Sequence, residues 1–464
     1  MAAPEIDLWT RPNATLAYLG AVLVLGGASA AGIGGNLLLQ VMGAGLTAWV
    51  LWDQSEGAPV HTGLRRFFLA LLVLAAVQFI PLPPGIWQHL PGRAEVYQGF
   101  VKLGVDAPWL TVSLAPWHGL ASFAWWIPAF TLFVAMRAAD APPSRHVVWT
   151  IAAVASVSVC FGAMQTGANS FYFYEITNYG DGPGFFSNSN HQGSFLLAAL
   201  ALWGCWAIGE MRASGGFTPK LASTQSLQGG ITLLLAFGVI VSGSLACQLL
   251  LLPVLAALAL VVWPDFRLPL PVVLLVALAV IAGFALFLIY GPAANDLTTK
   301  GVVAGISRQE FLATGVKILR DFAPLGSGTG TFQELYRWYE NPAIVSTTFV
   351  NHAHDDLLET LIETGIFGLV AILVFLGWYV PRTWALWAGA RRNVMQLAAS
   401  LVIGVELLHS LVDYPLRTAA MSSVMAVACV LLIRAPDAPR SRGRSKGKPV
   451  RPTNKSKPRD MIRI

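Results

Sequence analysis

Apolar runs of mostly about 17–25 residues recur along this chain, all but the short third one long enough to cross a bilayer as a helix. They fall near 14–30, 33–52, 67–80, 119–136, 147–166, 190–208, 227–243, 245–263, 270–289, 357–380, 394–412 and 418–433. A chain patterned this way cannot fold around a single water-surrounded core. Its composition agrees: 12% of residues are charged and 55% hydrophobic, with mean hydropathy +0.61, whereas a soluble domain is about a quarter charged. The expected fold is an all-α integral membrane protein with about twelve transmembrane helices. The polar stub before the first run is acidic as well as basic, so that run reads as an anchor and not as a cleavable signal peptide.

Orientation follows from Lys and Arg in the short loops. Arg65-Arg66, Arg137 with Arg145, Arg212 with Lys220, and Arg382 with Arg391-Arg392 occupy alternate loops. With twelve spans they share one side with the tail, which places both termini in the cytoplasm. Loops 81–118, 167–189 and 290–356 then lie outside. The expected layout is a polytopic membrane domain over 1–433, a large periplasmic loop with short helices at 290–356 inside it, and a tail over 434–464. That tail holds eleven Lys/Arg against two Asp, or +9 of a net +6, leaving −3 for the rest. A Pro/Gly/Ser/Lys/Arg tail buries no core and is expected to be disordered. Anionic lipid is its expected contact, and nucleic acid is not an expected partner.

The 290–356 stretch carries the chemistry-bearing residues. It contains Arg308, Lys317 and Arg320, then Asp321-Phe-Ala-Pro-Leu-Gly-Ser-Gly-Thr-Gly330, and ends in Asn351-His-Ala-His-Asp-Asp356. Charge within the spans is sparse: His191 in the first nine, then Glu359, Glu363, Glu406 and His409, followed by Asp413 and Arg417. Such residues are costly in a membrane and usually face an internal cavity or pathway. Asp355, Glu359 and Glu363 are spaced to form one acidic stripe on a helix. Pairing with neighbouring Arg and His is the simpler reading of Glu363 and Glu406. The four cysteines lie in or beside apolar spans without metal-ligand spacing and read as small buried hydrophobes. There is no P-loop, nucleotide fingerprint or HExxH.

These residues resemble a known family. His354-Asp-Asp-Leu-Leu-Glu-Thr-Leu-Ile-Glu-Thr-Gly365-Ile-Phe-Gly368-Leu369 is similar to the signature of the O-antigen ligase and O-antigen polymerase superfamily, which reads His, an amide or Ser, nine residues, then Gly-x-x-Gly-aliphatic. Asp355 occupies the amide position. Other pieces resemble the family in order: Pro81-Leu-Pro-Pro-Gly-Ile-Trp87, Phe186-Ser-Asn-Ser-Asn-His191, the Gly-x-Gly-x-Gly loop after Asp321, and His409-Ser-Leu-Val-Asp413-Tyr-Pro-Leu-Arg417. Many members carry Ser-Arg at the outer end of a middle helix; here Val241-Ser-Gly-Ser-Leu245 has Leu at the Arg position.

The resemblance implies a glycosyltransferase of the bacterial inner membrane, with its site on the periplasmic side. It would move a glycan from undecaprenyl diphosphate to an acceptor sugar hydroxyl of a glycolipid such as lipid A-core, by inversion. Two other readings stay open: a repeat-unit polymerase of the same superfamily, and a transporter of lipid-linked glycans. Neither cofactor nor metal is expected, although a metal held by His352, His354, Asp355 and Asp356 remains an alternative. The expected catalytic residues are His354, as base, and Arg308. The expected substrate-binding residues are Arg320, Lys317, Asp355, His352, Asn188, Asn190 and Arg417. Asp355 or Asp356 is the expected carboxylate for orienting His354. Gly365 and Gly368 are expected to allow close helix packing. Some of the many aromatics suit stacking on sugar rings, though belt anchoring explains most of them.

Overall fold

The computed structural model describes residues 10–29, 33–52, 62–216, 222–263, 299–342, 350–389 and 393–434. The expected span 270–289 and the tail beyond Arg434 lie outside them. Helices dominate: α1 (Arg11–Leu25), α2 (Gly34–Trp52), α3 (Thr62–Val77), α4 (Pro84–Trp87), α5 (Ala94–Leu103), α6 (Pro116–Ala124), α7 (Trp126–Ala135), α8 (Ser144–Ala168), α9 (Ser189–Ala213), α10 (Ala222–Val241) and α11 (Leu245–Val262). Then come α12 (Thr299–Phe322), α13 (Phe332–Tyr339), α14 (Asp356–Ala388), α15 (Val394–His409) and α16 (Ala419–Ile433), with a 3₁₀ turn at Pro415–Arg417 between the last two. Two short strands, β1 (Pro81–Leu82) and β2 (Leu110–Thr111), pair antiparallel.

Among the described residues, seven helices are long and apolar enough to cross a membrane: α2, α6 with α7 taken together, α8, α9, α10, α11 and α14. α15 and α16 are shorter apolar helices. The expected span 119–136 breaks at Trp125. Pro128 has no N–H to bond the carbonyl of residue 124, which is where α6 ends. Among its described residues, the 290–356 stretch holds one long helix, α12, and one short one, α13, where short helices were expected.

Side-chain caps set several helix starts. Asn188, Ser244, Asp355, Asn393 and Thr418 accept bonds from backbone N–H groups in the first turns of α9, α11, α14, α15 and α16, filling donors that a helix start leaves open. α9 is the central rod, with its first seventeen residues, Asn190 excepted, buried. It packs against α8, α10, α11, α15 and α16. A helix apolar on every side belongs inside a bundle. Gly193 and Gly204 bring it close to Cys247 and Leu258 of α11. Cys205 and Cys247 are buried as expected, whereas Cys160 is exposed on α8.

The loops sort to two ends. At one end Arg11 bonds Asp140 at 2.7 Å, Arg434 bonds the Pro142 carbonyl, and Arg212 bonds the Val262 carbonyl. At the other, the Gly27 segment bridges Phe186, Asn351 bonds Ser29, and Gln78 accepts from the Thr329 amide. The candidate site is at this second end.

Candidate active site

α14 fixes the site from below. Asp356, Glu359 and Glu363 lie on one face and converge on Arg417, whose guanidinium stands 3.2, 2.9 and 3.3 Å from them. The acidic stripe therefore begins at Asp356. Asp355 is outside the helix and turns its carboxylate to the Leu358 amide at 2.9 Å. Arg417 is ringed by carboxylates that hold its pKa above the ordinary range against the opposing pull of burial. Glu363 also accepts from the Gly330 amide at 2.8 Å, as well as pairing with Arg417. Glu406 is fully buried, and neither carboxylate oxygen has a hydrogen-bond partner among the described residues.

Gly365 interrupts α14 with φ +57 and ψ −138. This is a conformation that only glycine takes readily. The Gly-x-Gly-x-Gly loop docks on the break: Ile366 donates to the Pro324 carbonyl, while Ser327 and Gly328 donate to the carbonyls of Ile362 and Glu363, all within 2.9 Å. A Cβ on Gly365 would lie 2.1 Å from the Pro324 oxygen. The glycine expected to serve helix packing instead receives a loop. Buried Arg93 ties that loop to the 81–118 loop. It donates to the carbonyls of Pro91, Val112, Gly326 and Ser327 and covers the Phe322 ring. Burial lowers its pKa to about 10.

His352 and His354 stand above α14. His352 Nδ1 lies 2.9 Å from Glu359 Oε1, and the Ala353 amide donates to Glu359 Oε2. His354 Nδ1 lies 3.2 Å from Asp413 Oδ1. Asp413, not Asp355 or Asp356, is thus the carboxylate on His354. Its other oxygen faces His191 Nε2 at 3.8 Å. Burial alone would raise the Asp413 pKa; the His354 bond and the nearby His191, His354 and His409 rings overcome this and hold it below the usual carboxylate range.

His354 has φ +54, a left-handed backbone that costs a non-glycine residue about 1–2 kcal/mol. Phe311 of α12 stacks on its ring at 5.4 Å, and Tyr414 meets it edge-on at 4.9 Å. Tyr414 also touches the rings of His191 and His352. Its phenol is flanked by Asn188, Ser29 and Asn351, and burial raises its pKa above the ordinary range. Strain held by such packing is typical of functional positions. The His354 side chain remains 27% exposed, whereas Asp413 is 1% exposed.

The structure thus gathers His352, His354, Asn188 and Arg417, with Asp355 capping beside them. Asn190 lies in the first turn of α9, its amide bonded to Asn188 Oδ1. Arg308 occupies α12 three residues before Phe311, which places it on the same helical face by register; its side chain lies outside the described residues. Lys317 and Arg320 are exposed further along α12, and register puts Arg320 on the face opposite Phe311. Asp413, Tyr414, Phe311 and Arg93 were not singled out as site residues from sequence. Asp413 and Tyr414 did stand in the quoted His409–Arg417 run, but no local pattern shows which histidine that carboxylate meets.

No curated protein matches the chain. Residues 230–373 match the family model described as O-Antigen ligase, Wzy_C. The stretch contains Arg308, His352, His354 and the Gly365 break, and stops short of Asp413 and Arg417. Over that stretch, about a third of its length, the chain is similar to the O-antigen ligase family.

Proposed function

We propose that the protein is a glycosyltransferase that moves a glycan from undecaprenyl diphosphate to a sugar hydroxyl, with His354 as general base. The observation that carries this reading is the His354–Asp413 pair. A buried carboxylate holds Nδ1–H of an imidazole whose ring is partly open and fixed by Phe311 and Tyr414. That tautomer leaves Nε2 with a lone pair. It takes the acceptor proton as the hydroxyl oxygen attacks the anomeric carbon. The bond from that carbon to the diphosphate breaks, and direct displacement inverts the centre. Asp413 stabilises the imidazolium that forms.

Negative charge develops on the departing diphosphate. Arg308 is the cation for it, by its register position beside Phe311, and a guanidinium meets phosphate oxygens in a bidentate fork. Lys317 and Arg320 lie further along the same helix on other faces, which leaves this role to Arg308. His352 and Asn188 line the acceptor side. Arg417, tied to three carboxylates, shapes the floor. The O-antigen ligase reading takes lipid A-core as acceptor, and the polymerase reading takes another lipid-linked repeat.

The site faces the periplasm of a bacterial inner membrane on this reading, from the distribution of Lys and Arg. A cysteine at residue 340 should then label from outside intact cells and one at residue 450 should not; the reverse overturns the orientation. Activity is tested with purified protein, lipid-diphosphate glycan and either acceptor. Arg308→Ala should abolish transfer and Arg308→Lys restore part of it. Chelator should leave the wild type unaffected, because Arg308 supplies the leaving-group charge. Full activity of His354→Ala would end the assignment, and chelator sensitivity would move the His/Asp cluster to metal chemistry.

A further inference from the structure

The outer face of α13 sets an exposed indole beside a carboxylate and a guanidinium. Phe332, Leu335 and Tyr336 face inward and are buried, and Tyr336 meets Phe311 edge-on at 5.6 Å. Phe311 in turn stacks on His354. Glu334, Arg337 and Trp338 face the other way. Trp338 is 61% exposed. α13 is not itself among the candidate spans.

The start of α6 lies against this face. His118 Nδ1 is 3.9 Å from Glu334 Oε1, and Arg337 is 3.3 Å from Glu334 Oε2. The neighbouring Trp117 is 79% exposed. Rigid contacts join the two pieces: a Cβ on Gly330, just before α13, would meet the His118 backbone at 2.6 Å, and one on Gly119 would meet the Thr329 oxygen at 2.8 Å. Trp117 opens a candidate span and also suits belt anchoring; Trp338 carries the argument.

We propose that Trp338, with Glu334, Arg337, His118 and Trp117, forms a glycan-binding platform for the sugar units distal to the one joined to the diphosphate. The proposal rests on the glycosyltransferase reading above. A sugar ring presents C–H groups on its face and hydroxyls at its rim. An indole face packs on the first. Carboxylate, guanidinium and imidazole bond the second with charge-assisted strength. The Phe311 and Tyr336 rings and the width of α13 separate the platform from the base, roughly 15–20 Å in all, a span that several linked sugar units cover. Binding energy from such remote units positions the reacting end.

The test uses full-length protein in nanodiscs. The probes are the delipidated polysaccharide released by mild acid from the producing cell's lipid-linked pool, and its single repeating unit. Trp338→Ala should weaken polysaccharide binding about tenfold, Trp338→Phe should weaken it less, and binding of the single unit should hold. His354→Gln should bind the polysaccharide like wild type, so failure of the transfer mechanism is separable from failure of the platform. Equal affinity of wild type and Trp338→Ala would overturn the proposal, as would equal weakening for both probes. A dye on the Trp338→Cys variant quenched by a lipid-borne quencher, and not by a soluble one, would assign this face to the membrane surface and overturn it too.

Discussion

Asp413 Oδ1 lies 3.2 Å from Nδ1 of His354, and the two residues are fifty-nine positions apart on different elements. The pair sets the tautomer on which base catalysis depends. His354→Gln should lower transfer by about 10²–10⁴-fold, the usual worth of a positioned base. Asp413→Asn should cost a large part of that factor, since an amide can donate to Nδ1 and so favour the wrong tautomer. Donor KM should move little in either variant. Steady-state transfer assays check this, and normal turnover by Asp413→Asn would separate the carboxylate from the base.

Arg417→Ala should destabilise the fold rather than weaken donor binding. It would leave Asp356, Glu359 and Glu363 buried without their shared cation, and breaking a buried pair costs about 3–5 kcal/mol. Thermal unfolding in detergent should show a clear drop in Tm. Unchanged Tm with a raised donor KM would instead make Arg417 a substrate ligand.

Burial raises the Asp355 pKa from 3.8 to about 6, with backbone bonds from Leu358 and Leu357 opposing. A carboxyl whose folded pKa is raised binds more protons folded than unfolded, so stability should fall as pH rises from about 4 to about 6 and then level off. Asp355→Asn keeps a capping oxygen and removes the charge. It should raise stability at pH 7 by on the order of 1 kcal/mol and flatten that slope. Denaturation curves across pH 4–7 in both forms measure it; identical slopes would contradict the burial argument.

Gly365→Ala should be among the most damaging glycine changes. The new Cβ would meet the Pro324 oxygen at 2.1 Å, and the backbone has φ +57. The docked loop must then lift away, at a cost of about 2 kcal/mol or more. Lower Tm together with faster proteolysis between residues 324 and 330 is the expected outcome. Wild-type protease resistance would show that the loop is held elsewhere.

The apolar runs were legible because a membrane-crossing helix must be long and apolar in one contiguous piece, which is a local property of sequence. Expected spans such as 147–166, 190–208 and 245–263 coincide with α8, α9 and α11 to within a few residues. The His354 region was legible from its position at the mouth of α14 and its resemblance to a family signature. The first helical residue of α14 was not. Placing Asp355 inside the helix gave the acidic stripe the wrong first member, because a capping aspartate and a helical one look alike in sequence.

Sequence alone determined a chain of apolar helices with its polar chemistry gathered near residues 290–356 and 406–417, since hydropathy and spacing are carried by consecutive residues. Only tertiary structure decided which charges meet. Asp413 reaches His354, Arg417 gathers the three carboxylates of α14, and Phe311 of α12 supplies the stacking face. The reason is physical: a buried charge is stable where a partner compensates it, and that partner comes from whichever helix packs alongside, not from a neighbour in the chain.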